Sequence, residues 1–514
     1  MKIFSSEQIY KADKITVERQ GITSEALMER AASQIFKWMD SRLQGAPVKI
    51  HLFCGIGNNG GDGIALARML KDHGYHIEVY VVNYSKTRSA DFLVNLERLK
   101  ERKIWPIYLD TVFENPAIHR DDIIVDAVFG IGLNRPPATW VAKLLQHLNA
   151  SGAYVLSVDV PSGLYMDRGL DSSDAVIRAN HVLSFQAPKL VFFLPDTGRY
   201  AEQWEILDIG LDAEYLKTTE TDFTLVGKNE VLDFYKPREK FSHKGTYGHS
   251  LIIGGSNGKM GAVHLAGKAS LRVGSGLVSL FVPSCGLLPL QTNLPEAMVH
   301  TDVNEHHISD IKTDLEKMTL AVGIGMGTEK ESVLALSALL DVAKAPMVID
   351  ADGLNIIAAN KELLKKLPEA TILTPHPKEL ERLLGKWGDD FDKLKKAKAF
   401  SKRYGCVLVI KGAYTLTVFE GKGYFNSTGN PGMATGGSGD VLTGMVVGLL
   451  AQGYSPLQAA IFAVYLHGRA GDIAVSERGY QGLIASDIIE AIGKAFIDLF
   501  QMPEVQESNE EPQS

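Results

Sequence analysis

Short, predominantly apolar, β-rich runs alternate along this chain with longer stretches whose apolar positions recur at helical spacing. Residues 1–45 read as helical, with Ile22, Leu27, Ile35 and Trp38 on one face. VKIHLF (48–53) then precedes a helix opening near Gly61, IEVYVV (77–82) one over 88–102, and IIVDAV (123–128) one over 138–149. YVLSVDV (154–160) and HVLSF (181–185) follow, and the pattern fades after EILDIGLD (205–212). Uniformly apolar strands separated by helices predict a parallel sheet covered on both faces. Around 213–245 the chain turns polar, and a second alternating series begins. Its strands are HSLIIGG (249–255), LVSLFV (277–282), LAVGIG (320–325), MVIDAD (347–352), ATILTP (370–375) and CVLVIKG (406–412). Its helices are expected near 260–273, 377–404, 438–451 and 457–475.

The reading is therefore α/β, with two three-layer αβα domains. The domains are placed at 1–215 and 228–500, with a linker over 216–227. Residues 501–514 carry four glutamates, two prolines and no Lys or Arg, and are expected to be a disordered tail. The uncharged stretch from Val441 to Leu466 is interrupted at Gln452–Pro456. Neither half, at ~1.5 Å per residue, crosses a ~30 Å hydrocarbon core, so no membrane association is expected.

Composition narrows the function classes. The 514 residues carry a net charge of −8, the wrong sign for general nucleic-acid binding. The three cysteines, Cys54, Cys285 and Cys406, offer no disulfide framework, and the amino terminus lacks a secretory apolar core. A cytoplasmic protein is expected, and a homo-oligomer.

Two glycine-rich segments carry the candidate chemistry. CGIGNNGGDG (54–63) follows a strand and opens a helix, an arrangement that holds phosphate on backbone N–H groups. A tight turn without ligand is the alternative, since no acid ends the second strand, where dinucleotide folds place one. Asp126, Asp159 and Ser162 follow neighbouring strands and deliver oxygen ligands, suited to a hard cation, to the same rim. A solvated acidic rim is the competing view.

These residues, with DAVFGIGLNRP (126–136), VDVPSG (158–163) and ALMERAA (26–32), resemble the epimerase domain of the NAD(P)H-hydrate repair system over about 1–215. The resemblance implies a Rossmann-like domain that interconverts the R and S forms of hydrated NADH or NADPH. It implies dinucleotide contacts from Asn58, Asn59, Gly60, Gly61, Asp62, Gly130, Ile131, Gly132, Leu133, Asn134, Arg135, Pro136 and Asp159. Asn59, Asp126 and Ser162 would hold K+, and Asp159 is the candidate for proton handling.

The second segment is NPGMATGGSGDVLTGMVVGLL (430–450). Its glycines and the following helix make an anion hole from backbone, and Asp440 sits in it. Asp440 is either a base for a hydroxyl that attacks a nucleotide phosphate or a helix cap. No P-loop signature occurs. With HKGTYGHSLIIGGSNGKMGA (243–262), GIGMG (323–327), DADGLN (350–355), TPHPKEL (374–380) and KGAYT (411–415), the segment resembles the ribokinase-like ADP/ATP-dependent NAD(P)H-hydrate dehydratase domain over about 228–497. Ile324 and Lys378 depart from that family's usual proline and glycine. The resemblance implies a hydrate site at Ala262, Gly325, His376 and Asp440. It implies a nucleotide site at Lys411, Gly412, Ala413, Tyr414, Thr415 and Gly439, with Mg2+ accompanying ADP or ATP. The alternative is a vitamin or sugar kinase fused to a non-catalytic dinucleotide-binding module.

Overall fold

Successive residues of the strand Lys49–Cys54 enter two different cores in the computed structural model, which describes residues 1–171, 174–313 and 315–501. Leu52 packs with Ile35, Ile64, Leu70 and Phe92 on one face, and Phe53 with Val141, Leu144 and Leu148 on the other. Side chains of a strand alternate in direction, so a strand with apolar residues on both faces must be covered twice. That is the physical reason for the three layers.

The chain divides into two units, one of Met1–Leu225 with Trp387–Lys395 and one of Val226–Lys386 with Lys396 onward. In the first, a seven-stranded parallel sheet runs in the order Ile107–Leu109, His76–Val82, Lys49–Cys54, Ile123–Ala127, Tyr154–Val158, Ala179–Phe185, Ala201–Leu207. Counted along the chain, the order is 3-2-1-4-5-6-7. It reverses between Lys49–Cys54 and Ile123–Ala127, where the carboxyl ends of parallel strands open a crevice.

In the second unit the strands run Lys422–Asn426, Leu416–Phe419, Val407–Ile410, Ile372–Leu373, Val348–Ile349, Thr319–Val322, His249–Ile253, Leu277–Val282, Met298–Thr301. They are parallel from Met298–Thr301 to Val407–Ile410 and antiparallel beyond. Helices Met260–Val273 and Ser438–Ala451 cover one face at close range. A Cβ on Gly444 would lie 2.1 Å from the carbonyl oxygen of Ala266, so only glycine permits that approach.

Several elements differ from the pattern reading. The helix expected over 1–45 is two, Ser6–Gln20 and Ser24–Leu43, because Gly21 adopts a left-handed φ of 63° and Thr23 caps the second. The helix expected over 377–404 is likewise two, Pro377–Leu384 and Asp390–Tyr404, interrupted by Gly385 at φ 79°. The stretch 216–227 is not an irregular linker. Helix Ala213–Thr218 runs into it, and Phe223–Val226 pairs antiparallel with Lys2–Ile3. Helices Lys330–Val342 and Ala485–Asp498 and the hairpin over 416–426 escaped the pattern. The tail expected over 501–514 lies, beyond Gln501, outside the described residues. Among the described residues no helix is long and apolar enough to cross a membrane.

Candidate active sites

In the first unit, a cavity of about 980 Å³ opens at the crevice where the strand order reverses. The glycine-rich turn forms part of its wall because it can approach the neighbouring strand closely. Gly55 donates its N–H to Ala127 (2.8 Å), and a Cβ there would fall 2.0 Å from the carbonyl oxygen of Val128. Helix Asn58–Asp72 starts at once, its N-cap Gly57 supplying no side-chain cap. Asn58, Asn59, Asp62, the loop from Gly130 to Pro136, and Asp159 all line the cavity. Gly60 and Gly61 do not. They are buried, Gly60 against Gly55 and Gly61 against Met28.

Asp159 is the most constrained residue of this site. It holds a left-handed φ of 65°, a conformation costly for a residue other than glycine and maintained here by its surroundings. Its Oδ1 lies 2.9 Å from the ammonium of Lys189, which is 1% exposed, and accepts from the Phe185 N–H (3.1 Å). Lys189 also donates to the carbonyls of Phe185 and Ala187, which fixes it in place. Helix Ser6–Gln20 brings Tyr10 and Asp13 to the same cavity. Burial, and then the charge of Asp159, push the Asp13 carboxyl up to about 7, with Lys189 opposing. Burial also raises Asp62 well above the ordinary range, reinforced by Asp159 and Asp13. Asp13 and Asp62 are thus both raised by burial and by the neighbouring Asp159 carboxylate, which itself pairs with Lys189. The constellation can give and take protons there.

Behind the wall, Asp126 is fully buried and accepts from Ser157 Oγ (2.8 Å), Ser162 Oγ (2.5 Å) and Ser162 N–H (2.8 Å). Ser162 Oγ also accepts from the Phe129 N–H (2.8 Å). Burial raises the Asp126 carboxyl in spite of these donors. Asn59 is buried, and its Nδ2 has no hydrogen-bond partner. Asp126 and Ser162 therefore meet as expected, while Asn59 packs against Gly130.

In the second unit, helix Ser438–Ala451 opens from Gly437 at φ 88° with no side-chain cap, so Asp440 is not the cap. Burial, and then the charge of Asp350, push the Asp440 carboxyl up to about 6, against Lys411. Lys411 Nζ lies 2.9 Å from Asp350 Oδ1, and Thr443 Oγ1 donates to Asp350 Oδ2 (2.6 Å). A Cβ at Gly439 would come 3.4 Å from Lys411 Nζ, so the ammonium stands beside the glycine loop. Lys411 begins the turn through Gly412, Ala413, Tyr414 and Thr415 that joins Val407–Ile410 to Leu416–Phe419. Ala262 adjoins Gly325: a Cβ on Gly325 would lie 3.5 Å from the Ala262 Cβ. His376 caps helix Pro377–Leu384, its Nδ1 accepting from the Lys378 N–H (3.1 Å). Burial lowers the basicity of His376, and the Lys411 charge lowers it further.

Sequence reasoning missed Tyr10, Asp13, Lys189, Ser157, Asp350 and Thr443 as site residues. The two sites define the class: a two-unit α/β enzyme with one acid–base cavity at a dinucleotide-type crevice and a second, carboxylate-bearing anion site at an open helix N-terminus. The model for the YjeF-related protein N-terminus matches residues 24–191, and that for NAD(P)H-hydrate dehydratase matches residues 250–494. The bifunctional NAD(P)H-hydrate repair enzyme of Moorella thermoacetica is 33% identical over 507 residues, covering 95% of this chain and 96% of the relative. Its Escherichia coli K12 counterpart is 33% identical over 522 residues, covering 100% of this chain and 96% of the relative. The crystal structure of the Bacillus subtilis ADP/ATP-dependent NAD(P)H-hydrate dehydratase, co-crystallised with ATP/Mg2+, aligns over 53% of this chain and 97% of that one, at 29% identity and a TM-score of 0.46. The chain belongs to the family of bifunctional NAD(P)H-hydrate repair enzymes, epimerase first and dehydratase second.

Proposed function

We propose that the first cavity interconverts the R and S epimers of hydrated NADH and NADPH, and that the second site returns the S epimer to NAD(P)H with phosphate taken from ADP or ATP. The observation that carries the second half is Asp440, a half-buried carboxyl held near 6 at the mouth of a backbone anion hole beside Lys411. Hydroxide is a poor leaving group. Asp440 takes the proton from the ring hydroxyl as that oxygen attacks the terminal phosphorus of the nucleotide. The shortened nucleotide leaves, and the new ester then departs as inorganic phosphate while the neighbouring ring carbon loses a proton, restoring the double bond. N–H groups over 436–439 and the Lys411 ammonium stabilise the charge on the transferring group.

Mg2+ would arrive on the nucleotide phosphates. In the first cavity Asp159 handles the proton, with Asp13 as its protonated counterpart. The buried Asp126 carboxylate, Ser162 Oγ and Asn59 fit K+: a monovalent cation would compensate a charge that only neutral donors now meet. It would supply an electrostatic anchor for the loop from Gly130. Cys54, Cys285 and Cys406 are free thiols, which suits the cytoplasm.

The test uses the full chain and the mixed epimers of hydrated NADH. Magnesium with ADP or ATP is expected to return all of it to NADH, both epimers included. Recovery of only half, or accumulation of a stable phosphorylated product, rejects the reading.

A further inference from the structure

The strand His76–Val82 ends in a loop, Asn83 to Arg88, that lines a hollow of about 410 Å³. In a sheet of this strand order, the end of the second strand is where dinucleotide folds read the ribose next to adenine. An acid there takes the 2′-hydroxyl, and a cation accommodates a 2′-phosphate. This chain has no acid at that place. Glu78, at the strand's other end, is bound to Lys49 (2.7 Å) and Tyr80 Oη (2.7 Å). The hollow is lined instead by Asn83, Tyr84, Ser85, Lys86 and Arg88, two cations and no carboxylate.

The loop is built into the first site. Ser89 donates to the carbonyl of Ile56 in the glycine-rich turn (3.0 Å), and Asn83 to that of Leu109 (2.8 Å). Tyr84 lines the hollow and the large cavity alike, its ring packed 4.8 Å from that of Phe129. Arg88 is oriented by a bond from Nη2 to Asn83 Oδ1 (3.0 Å), while its Nε is buried without a partner. Lys86 is exposed, and among the described residues neither cation forms an ion pair with a carboxylate. From this loop to Asp159 is three strand spacings, roughly 14 Å at ~4.8 Å each, the scale of an extended dinucleotide.

We infer that Lys86 and Arg88 form a phosphomonoester site that binds the 2′-phosphate of hydrated NADPH and sets the epimerase's preference for it over hydrated NADH. The inference rests on the epimerase reading of the cavity. Guanidinium and ammonium groups with unused donors favour a dianionic phosphate.

The experiment measures epimer exchange by chromatography in the full chain, without ADP or ATP, on hydrated NADPH and hydrated NADH separately. Arg88→Ala and Lys86→Ala are each expected to lower the NADPH-to-NADH ratio of kcat/KM by roughly ten- to hundredfold, through KM, the factor carried by one charge-assisted hydrogen bond. An unchanged ratio, or equal losses on both substrates, overturns the site. Lys86 is exposed and, among the described residues, forms no hydrogen bond or ion pair, so its variant decides the question if Arg88→Ala does not fold. Adenosine 2′-monophosphate binding, followed by phosphorus NMR, separates the two failures. Wild-type protein without exchange activity that still binds this probe through Arg88 rejects the epimerase reading alone. Absence of binding rejects the site.

Discussion

The ammonium of Lys411 lies 2.9 Å from a buried oxygen of Asp350, and the other oxygen of the same carboxylate takes the hydroxyl of Thr443 at 2.6 Å. Thr443 stands one helical turn beyond Asp440, so base and hydroxyl project from the same face of helix Ser438–Ala451. Asp350 thereby sets the position of Lys411 and raises the proton affinity of Asp440 from a single place. One buried carboxylate organises the cation and the base together.

Asp440→Asn is expected to lower NADH return by roughly 10²–10⁴-fold while epimer exchange persists, as removal of a general base does. Its folded-state affinity for a proton exceeds the unfolded one, so the ionised carboxylate costs stability above the ordinary 3.8, progressively up to about 6. The amide should therefore raise the free energy of unfolding at neutral pH, by an amount of order 1–2 kcal/mol after solvent screening, as denaturant unfolding would show. A folded variant that loses both activities refutes separate sites.

The same carboxyl predicts a pH dependence. Only the ionised form accepts a proton, so dehydration should rise with pH through about 6. A carbon-13 titration of the free protein checks this without substrate. A midpoint near the ordinary 3.8 would remove the electrostatic argument.

Thr443→Val leaves one buried oxygen of Asp350 without its hydroxyl and loosens the hold on Lys411. The loss should be about 1–3 kcal/mol of stability and roughly tenfold in dehydration, with Thr443→Ser restoring both. If serine fails to rescue, the hydroxyl is not what matters.

Asp159→Ala should abolish epimer exchange and spare dehydration of the S epimer. Lys189→Met leaves the Asp159 carboxylate buried without its cation, and should destabilise the protein by about 3–5 kcal/mol. The double variant with Asp159→Asn should recover most of that loss. Additive losses in denaturant unfolding would show that the pair does not act as a unit.

Exchanging K+ for tetramethylammonium, which is too large for the Asp126–Ser162 site, should slow epimer exchange and leave dehydration unchanged. Asp126→Asn should erase the difference between the two salts. Equal rates in both salts for the wild type would remove the cation from the site.

Local signals carried much of this protein. Strands with apolar residues on both faces, such as Lys49–Cys54, announced a doubly covered parallel sheet, and the glycines of 54–63 and 436–439 marked both turns, because glycine's freedom is needed by the backbone at those places. Asp440 was readable as an odd charge beside such a turn, and Asp159 as an oxygen ligand at a neighbouring strand end. Helix breaks at Gly21 and Gly385 were available in principle but masked by periodicity that runs past them. The pairing of Phe223–Val226 with Lys2–Ile3, in contrast, joins segments more than two hundred residues apart and leaves no mark in either.

The amino-acid order by itself determined which segments become strands, where the backbone must turn sharply, and which chemical groups stand at those turns. Tertiary structure alone decided which groups meet: Asp13 with Asp159 and Lys189, and Asp350 with Lys411 and Thr443. Proton affinities and ion pairs depend on distance and on exclusion of water. Residues 61 and 93 positions apart acquire both only when the sheet brings its strand ends to one edge.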